Sequence, residues 1–304
     1  MQPRLILAAV ALWLASDCSS AEELTGTLEK IRSTGSIAIG HRESSIPFSY
    51  FEKDEKAVGY AIDLCYRISD AIKARLNLPK LAVNLVPVTA SNRIPLMLNS
   101  RIDLECGSTS NNFERQKVVA FTKTHFVTAN RFLAKATANL RTLEDLKGRT
   151  VVSTIGTTNL KQISDLNAER RLGLTILAAK DHGEAMRMLE SDRAAAFVMD
   201  DILLYSLVAN SPSPSDYSLS TDALSLEPYG IMLRRHDSPF KKIVDDAMTA
   251  TYLSGEIHKI YAKWFLHPIP PKGINLNVPM SESLMRVVEV PIDSADPTAY
   301  LVKE

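Results

Sequence analysis

The chain has 304 residues, with 35 Lys and Arg against 35 Asp and Glu, so its formal net charge is zero. That balance excludes a nucleic-acid binder that works by displacing counterions from phosphates. With 45% hydrophobic and 23% charged residues the composition is that of a folded globular protein, and the length suggests two domains.

Residues 1–21 read as an export signal. Arg4 supplies a short basic start, residues 5–15 are an unbroken apolar run too short to cross a bilayer as a helix, and Ser19 and Ala21 fit cleavage after Ala21. Cys18 stands where a lipidated cysteine would, but the acidic Asp17 before it fits that signal poorly. Cys65 and Cys106 then remain. Two cysteines make no framework, so the favoured expectation is a pair of buried thiols, with a disulfide as the alternative that export permits.

Strands and helices alternate along the rest of the chain. A β-type run at 36–40 is followed by a helical period over 58–78, where Leu64, Ile68, Ala71, Ile72 and Leu76 share one face. Strands are predicted at 83–88 and 102–105, with short helices at 92–99 and 112–118. After a long extended stretch at 125–135 and a short helix at 143–146, the rhythm restarts. Strands at 150–154, 174–178 and 194–199 each precede a helix, ending near 171, at 190 and at 209. A second extended stretch covers 229–233, helices follow at 239–253 and 256–265, and the Pro-rich tail from His267 is expected to strap over the surface. The βαβα order implies two α/β lobes built on mostly parallel sheets.

Polar groups gather after these strands and at helix starts: His41-Arg42-Glu43, Ser91-Asn92-Arg93, Ser108-Thr109-Ser110 with Arg115 five residues on, Gly156-Thr157-Thr158, Asp181-His182 and Asp200-Asp201. Open α/β sheets bind ligands at the carboxyl ends of their strands, and two lobes facing each other would hold one ligand between them. The histidines show no paired ligand spacing, and no phosphate loop or nucleophile elbow appears, so no metal and no cofactor is expected.

The stretches HRESSIPFSY, SNRIPLML, DLECGSTSNNFERQ, GTTNL, AKDHGEAMRMLES and FVMDD together carry a resemblance. Over about residues 28–271 the chain resembles the periplasmic solute-binding proteins for polar amino acids, and is especially similar to the glutamate/aspartate-binding proteins of ABC importers. The resemblance implies an α/β type II periplasmic binding protein, two lobes joined by a two-strand hinge with the ligand cleft between them. The corresponding organisation is a signal at 1–21, lobe 1 over 22–128 and 228–304, and lobe 2 over 129–227. It further implies a monomeric periplasmic protein, not an enzyme, whose partners are L-glutamate or L-aspartate and the importer's membrane subunits.

The residues suit that ligand chemically. The Arg115 guanidinium can fork onto an α-carboxylate, with Ser110 and the amides at Thr157 and Thr158, at a helix start, adding donors. Asp200 and Ser108 can accept from an α-ammonium. The resemblance places Arg42, Arg93 and His182 around the ligand's side chain. Arg42, Arg93 and Arg115 against Asp200 leave two positive charges in excess, which favours an acidic ligand over a neutral one. Three departures from the family pattern stand out: Ala90 replaces a serine, removing one hydroxyl contact, Ser110 replaces a threonine and keeps the hydroxyl, and Asp192 replaces a glycine in a turn.

Plainer roles compete. Thr157 and Thr158 can cap a helix, His182 can pack at a helix start, and Asp201 is expected to cap the next helix. Phe48 and Tyr50 fit the core or the cleft, Tyr229 fits the hinge, and Trp264 fits a docking helix. Two other functions share the fold: a periplasmic dehydratase, for which Glu43, Glu105 and Glu184 are the candidate acids, and a sensor that docks on a membrane receptor.

Overall fold

A computed structural model describes residues 24–52 and 56–302. The expected signal segment, with Cys18, lies outside the described residues. In the first sheet, Ala82–Pro87, Ser36–His41 and Leu104–Cys106 run parallel, and Met232–Arg234 lies antiparallel between Leu104–Cys106 and Val119–Phe121. In the second, Thr175–Ala179, Thr150–Thr154 and Ala196–Asp200 run parallel, and Phe126–Lys135 continues the sheet antiparallel. The helices Tyr60–Arg75, Arg93–Leu98, Thr158–Arg170, His182–Glu190 and Asp201–Asn210 alternate with these strands, as the rhythm of apolar residues predicts.

The two sheets are connected by Phe126–Lys135 and Ser225–Tyr229, which pair antiparallel from Phe126 opposite Tyr229 to Asn130 opposite Ser225. These are the two crossing strands of the hinge. Aromatic packing fixes its base: Phe48 is fully buried, with its ring 4.9 Å from Phe126 and 5.2 Å from Tyr229. Phe48 and Tyr50 therefore belong to the core. The helices Ser238–Leu253 and Glu256–Phe265 return to pack near Tyr60–Arg75. Trp264 sits on the second of them as a docking residue, buried, with its indole N–H donating to Asp63 at 2.7 Å.

The structure departs from the sequence pattern in several places. Ala57–Val58 pairs as a strand, and the helix starts only at Tyr60, because Gly59 turns the chain at φ 143°. A Cβ there would lie 2.2 Å from the Phe48 carbonyl oxygen, so the turn needs glycine. A helix at Gly26–Thr34 precedes the first strand. The tail is more than a strap. It forms a helix, Glu282–Glu289, whose buried Leu284, Val287 and Val288 recur at helical spacing, and Tyr300 bonds Thr124 through their hydroxyls at 2.8 Å.

Cys65, on the Tyr60–Arg75 helix, and Cys106, ending a central strand, are bonded, with their Cα atoms 6.4 Å apart. The expectation of two separate thiols is overturned, because the helix packs directly over the strand and brings both side chains within bridging reach. The bridge closes a loop of 41 residues. Cys65→Ser with Cys106→Ser is expected to cost about 4 kcal/mol of unfolding free energy on the loop-closure account. Urea denaturation measures it. A midpoint unchanged from the parent would show that the bridge does not constrain the unfolded chain.

Candidate functional site

The strand ends converge as their order requires. Arg42 follows Ser36–His41, Ser108 and Ser110 follow Leu104–Cys106, and Arg93 opens its helix on the same lobe. Across from them, Thr157 and Thr158 follow Thr150–Thr154, His182 opens a helix after Thr175–Ala179, and Asp200 ends Ala196–Asp200. These eight residues line one narrow cavity of about 10 Å³ between the lobes, together with Asn159, Met199 and Leu203.

Arg115, the ninth expected residue, is buried but is not part of this lining. Its Nη1 donates to the Ser110 carbonyl at 2.8 Å and its Nη2 reaches the Gly156 carbonyl of the other lobe at 3.4 Å. The Ser110 and Thr158 hydroxyls meet across the cleft at 3.3 Å. The lobes are therefore in contact, and Gly156 marks how closely. At φ 79° it faces lobe 1, where an added Cβ would lie 2.6 Å from the Ser91 Cα and 2.7 Å from the Ala90 carbonyl. Ala90 is buried at this contact and is not part of the cavity lining.

Donors with no partner point to what the cavity can hold. Arg93 is 2% exposed and donates through Nη1 to Thr109 Oγ1 and to the Ser108 carbonyl, while its Nε has no hydrogen-bond partner among the described residues. Ser108 Oγ and His182 Nε2 are likewise buried without partners. His182 Nδ1 bonds Thr154 Oγ1 at 2.8 Å. When that hydroxyl donates, Nε2 carries the proton as a donor. Asp181, rather than His182, caps this helix, accepting from Glu184 N. Thr157 accepts from Leu160 N and so caps its helix while lining the cavity.

Burial sets the electrostatics. It lowers the Arg42 guanidinium to about 10 and Arg115 to about 9, in each case with repulsion from Arg93 adding to it. It also holds His182 well below the usual histidine value, with Arg42 and Arg93 contributing. Asp200 accepts from Asn159 Nδ2 at 2.7 Å and from the Tyr229 hydroxyl. Burial, with Glu227 nearby, nevertheless raises it to about 7. Every one of these shifts favours the neutral form, which is the signature of charged groups sequestered from water.

The charge count from sequence needs correcting. Two buried carboxylates adjoin the arginines: fully buried Glu105, 3.9 Å from Arg93 Nη1, and Glu227, 8% exposed. Three guanidinium groups thus face three carboxylates, and the excess of two positive charges disappears. The case for an anionic ligand rests instead on the unpartnered donors. Asp201 also differs from expectation. It accepts from Thr128 Oγ1 at 2.5 Å on the hinge strand and pairs with Arg131, rather than capping its helix. Asp192 occupies a left-handed turn at φ 58°, where the family pattern has glycine.

Glu227 and Asn159 were not singled out from sequence, while Tyr229 was expected only in the hinge and Gly156 only as part of the motif after its strand. Asn159 could have been found as a polar residue on the buried face of its helix. The pattern Ser225, Glu227, Tyr229 signals one strand face. The three candidate acids of a dehydratase do not line the cavity. Glu43 is exposed, Glu184 accepts from Lys180 N at 2.7 Å, and Glu105 accepts from Thr109 Oγ1.

Residues 37–267 match the family model of bacterial extracellular solute-binding proteins, family 3. The chain belongs to this family. Among its relatives, the L-glutamate/L-aspartate-binding protein of Pseudomonas aeruginosa is 50% identical, covering 96% of this chain and 97% of that protein. The glutamate/aspartate import solute-binding protein of Escherichia coli is 44% identical over 94% of this chain and 95% of its own. Of solved structures, an ancestral arginine-binding protein bound to arginine superposes with a TM-score of 0.69 at 26% identity, covering 76% of this chain and 98% of that one. A mutant ArgBP from T. maritima gives 0.70 at 27% identity, covering 79% and 99%. The family 3 fold, with its two lobes and crossing strands, is the architecture described above, and these relatives are named for binding or import.

Proposed function

We propose that the chain is the periplasmic substrate-binding component of an ABC amino-acid importer, exported by its first 21 residues, and that it captures L-glutamate or L-aspartate by closure of lobe 1 (22–128 and 228–304) onto lobe 2 (129–227). The observation that carries this reading is the closed cavity with the donors Arg93 Nε and His182 Nε2 unpartnered on its walls. Donors left over in a buried polar pocket are what a second carboxylate would satisfy. Arg42, Arg93 and His182 take the ligand's side-chain carboxylate. Arg115, Ser110 and the amides at Thr157 and Thr158 take the α-carboxylate, and Asp200 with Ser108 takes the ammonium.

Closure follows from the same distribution. Groups from both lobes touch one ligand, so the ligand favours the closed form by the contacts it gains only there. The high identity to glutamate/aspartate import proteins across nearly the whole chain supports the ligand class and the importer partner. Isothermal titration with L-glutamate, L-aspartate and L-glutamine tests it. Heat with either acidic amino acid and none with glutamine is expected. A folded protein that binds only glutamine, or none of the three, would overturn the reading.

A further inference from the structure

We propose that Glu227 is a positioning residue of the cleft. From the hinge strand it orients the Thr158 hydroxyl and, as a second buried anion beside Asp200 and Arg115, sets how strongly the site holds the ammonium end of an amino acid. This rests on the amino-acid-binding reading above.

Glu227 lies on Ser225–Tyr229, opposite Thr128 in the hinge pairing. Residues two apart on a strand share a face, so Ser225, Glu227 and Tyr229 project together. Their contacts agree. Ser225 Oγ shares its proton between Glu227 Oε1 at 2.9 Å and Gln162 Oε1 at 3.0 Å, Thr158 Oγ1 donates to Glu227 Oε2 at 3.2 Å, and the Tyr229 hydroxyl donates to Asp200. A hydroxyl has one proton. With that of Thr158 committed to Glu227, its oxygen is left to accept from Ser110 Oγ across the cleft, 3.3 Å away. The direction of this chain, Ser110 to Thr158 to Glu227, is fixed by the one member that can only accept.

The same carboxylate acts at both ends of the ligand. Asp200 is faced by Glu227 and Tyr229 from the hinge strand, by Asn159 from the Thr158–Arg170 helix, and by Asp201, which opens the Asp201–Asn210 helix. Arg115, from lobe 1, feels both Glu227 and Asp200 as opposite charges. Glu227 therefore makes Asp200 harder to ionise and partly neutralises Arg115. Protonated Asp200 cannot ion-pair with an ammonium, so affinity falls as pH drops through its titration. Removing the like charge of Glu227 moves that fall to lower pH.

The test is the pH profile of L-glutamate affinity, by titration calorimetry, in the parent, Glu227→Gln and Glu227→Asp. In Glu227→Gln the acid limb is expected to move down by about half a pH unit, making binding about threefold tighter relative to the alkaline plateau at about pH 6. Glu227→Asp, which keeps the charge, should follow the parent's limb. A merely structural role would scale affinity equally at every pH. Parallel profiles in a folded Glu227→Gln overturn the proposal. Should that variant not fold, or the parent not bind glutamate, 13C titration of the carboxyl groups in the ligand-free parent decides. Asp200 titrating above the ordinary aspartate range supports it, and Asp200 titrating as an ordinary aspartate overturns it. Failure of the parent to bind either acidic amino acid counts against the proposed function and not against this coupling.

Discussion

Gly156→Ala is expected to weaken amino-acid binding by ~100-fold, equivalent to about 3 kcal/mol, while leaving both lobes folded. The added methyl would meet the Ser91 Cα and the Ala90 carbonyl, backbone atoms of the opposite lobe that cannot rotate away as a side-chain tip can. The clash exists only when the lobes are together. In the open form the substitution bears only the strain of a side chain at φ 79°, about 1 kcal/mol. The damage therefore falls on the closed state, and binding loses whatever free energy is needed to hold the lobes further apart. Calorimetry gives the affinity, and small-angle scattering tells whether the protein still contracts when L-glutamate is added. Parent-like affinity with parent-like contraction would show that the lobes close along a different path from the contact at Gly156.

The reach of the sequence follows from the kinds of signal it holds. The alternation of strand and helix is legible because each buried face leaves a local period, as in Leu64, Ile68 and Ile72 on one helix. The site is legible because its residues directly follow strands whose ends share one edge. Contacts between distant segments leave no such mark. Cys65 and Cys106 meet because a helix crosses a strand 41 residues on. Glu105 lies in Leu104–Cys106, where all three residues are buried. In a parallel strand covered on both faces no alternation shows that the glutamate turns toward an arginine. Glu227 is hidden for the opposite reason. The pattern Ser225, Glu227, Tyr229 is also that of a strand face in water, and only the arrival of Thr158 from another element makes it part of the cleft. Counting charges from strand-end motifs therefore overstates the positive character of the site. The missing anions come from a strand interior and from the hinge.

Glu105 also changes what removing an arginine should do. Arg93→Ala is expected to lose L-glutamate binding by more than ~100-fold, because the guanidinium supplies both charge and an unpartnered Nε to the cavity. It should in addition lower unfolding free energy by about 3–5 kcal/mol, since Glu105 would be left fully buried without its ion-pair partner, retaining the Thr109 hydroxyl alone on one oxygen. The two losses separate in a double variant. Arg93→Met with Glu105→Gln removes both charges at similar volume, so stability should return to within about 1–2 kcal/mol of the parent while affinity stays lost. Thr158→Ala is a calibration for a single neutral hydroxyl, with an expected loss of about 1 kcal/mol or fivefold. Chemical denaturation and calorimetry on the same four proteins give both quantities. If the double variant regained affinity along with stability, Arg93 would act on the ligand only by holding Glu105 in place. If Arg93→Ala and Thr158→Ala lost affinity equally, the assignment of Arg93 to the ligand's second carboxylate would fail. Loss confined to affinity, with parent stability, would mean that Glu105 finds another partner when Arg93 is gone.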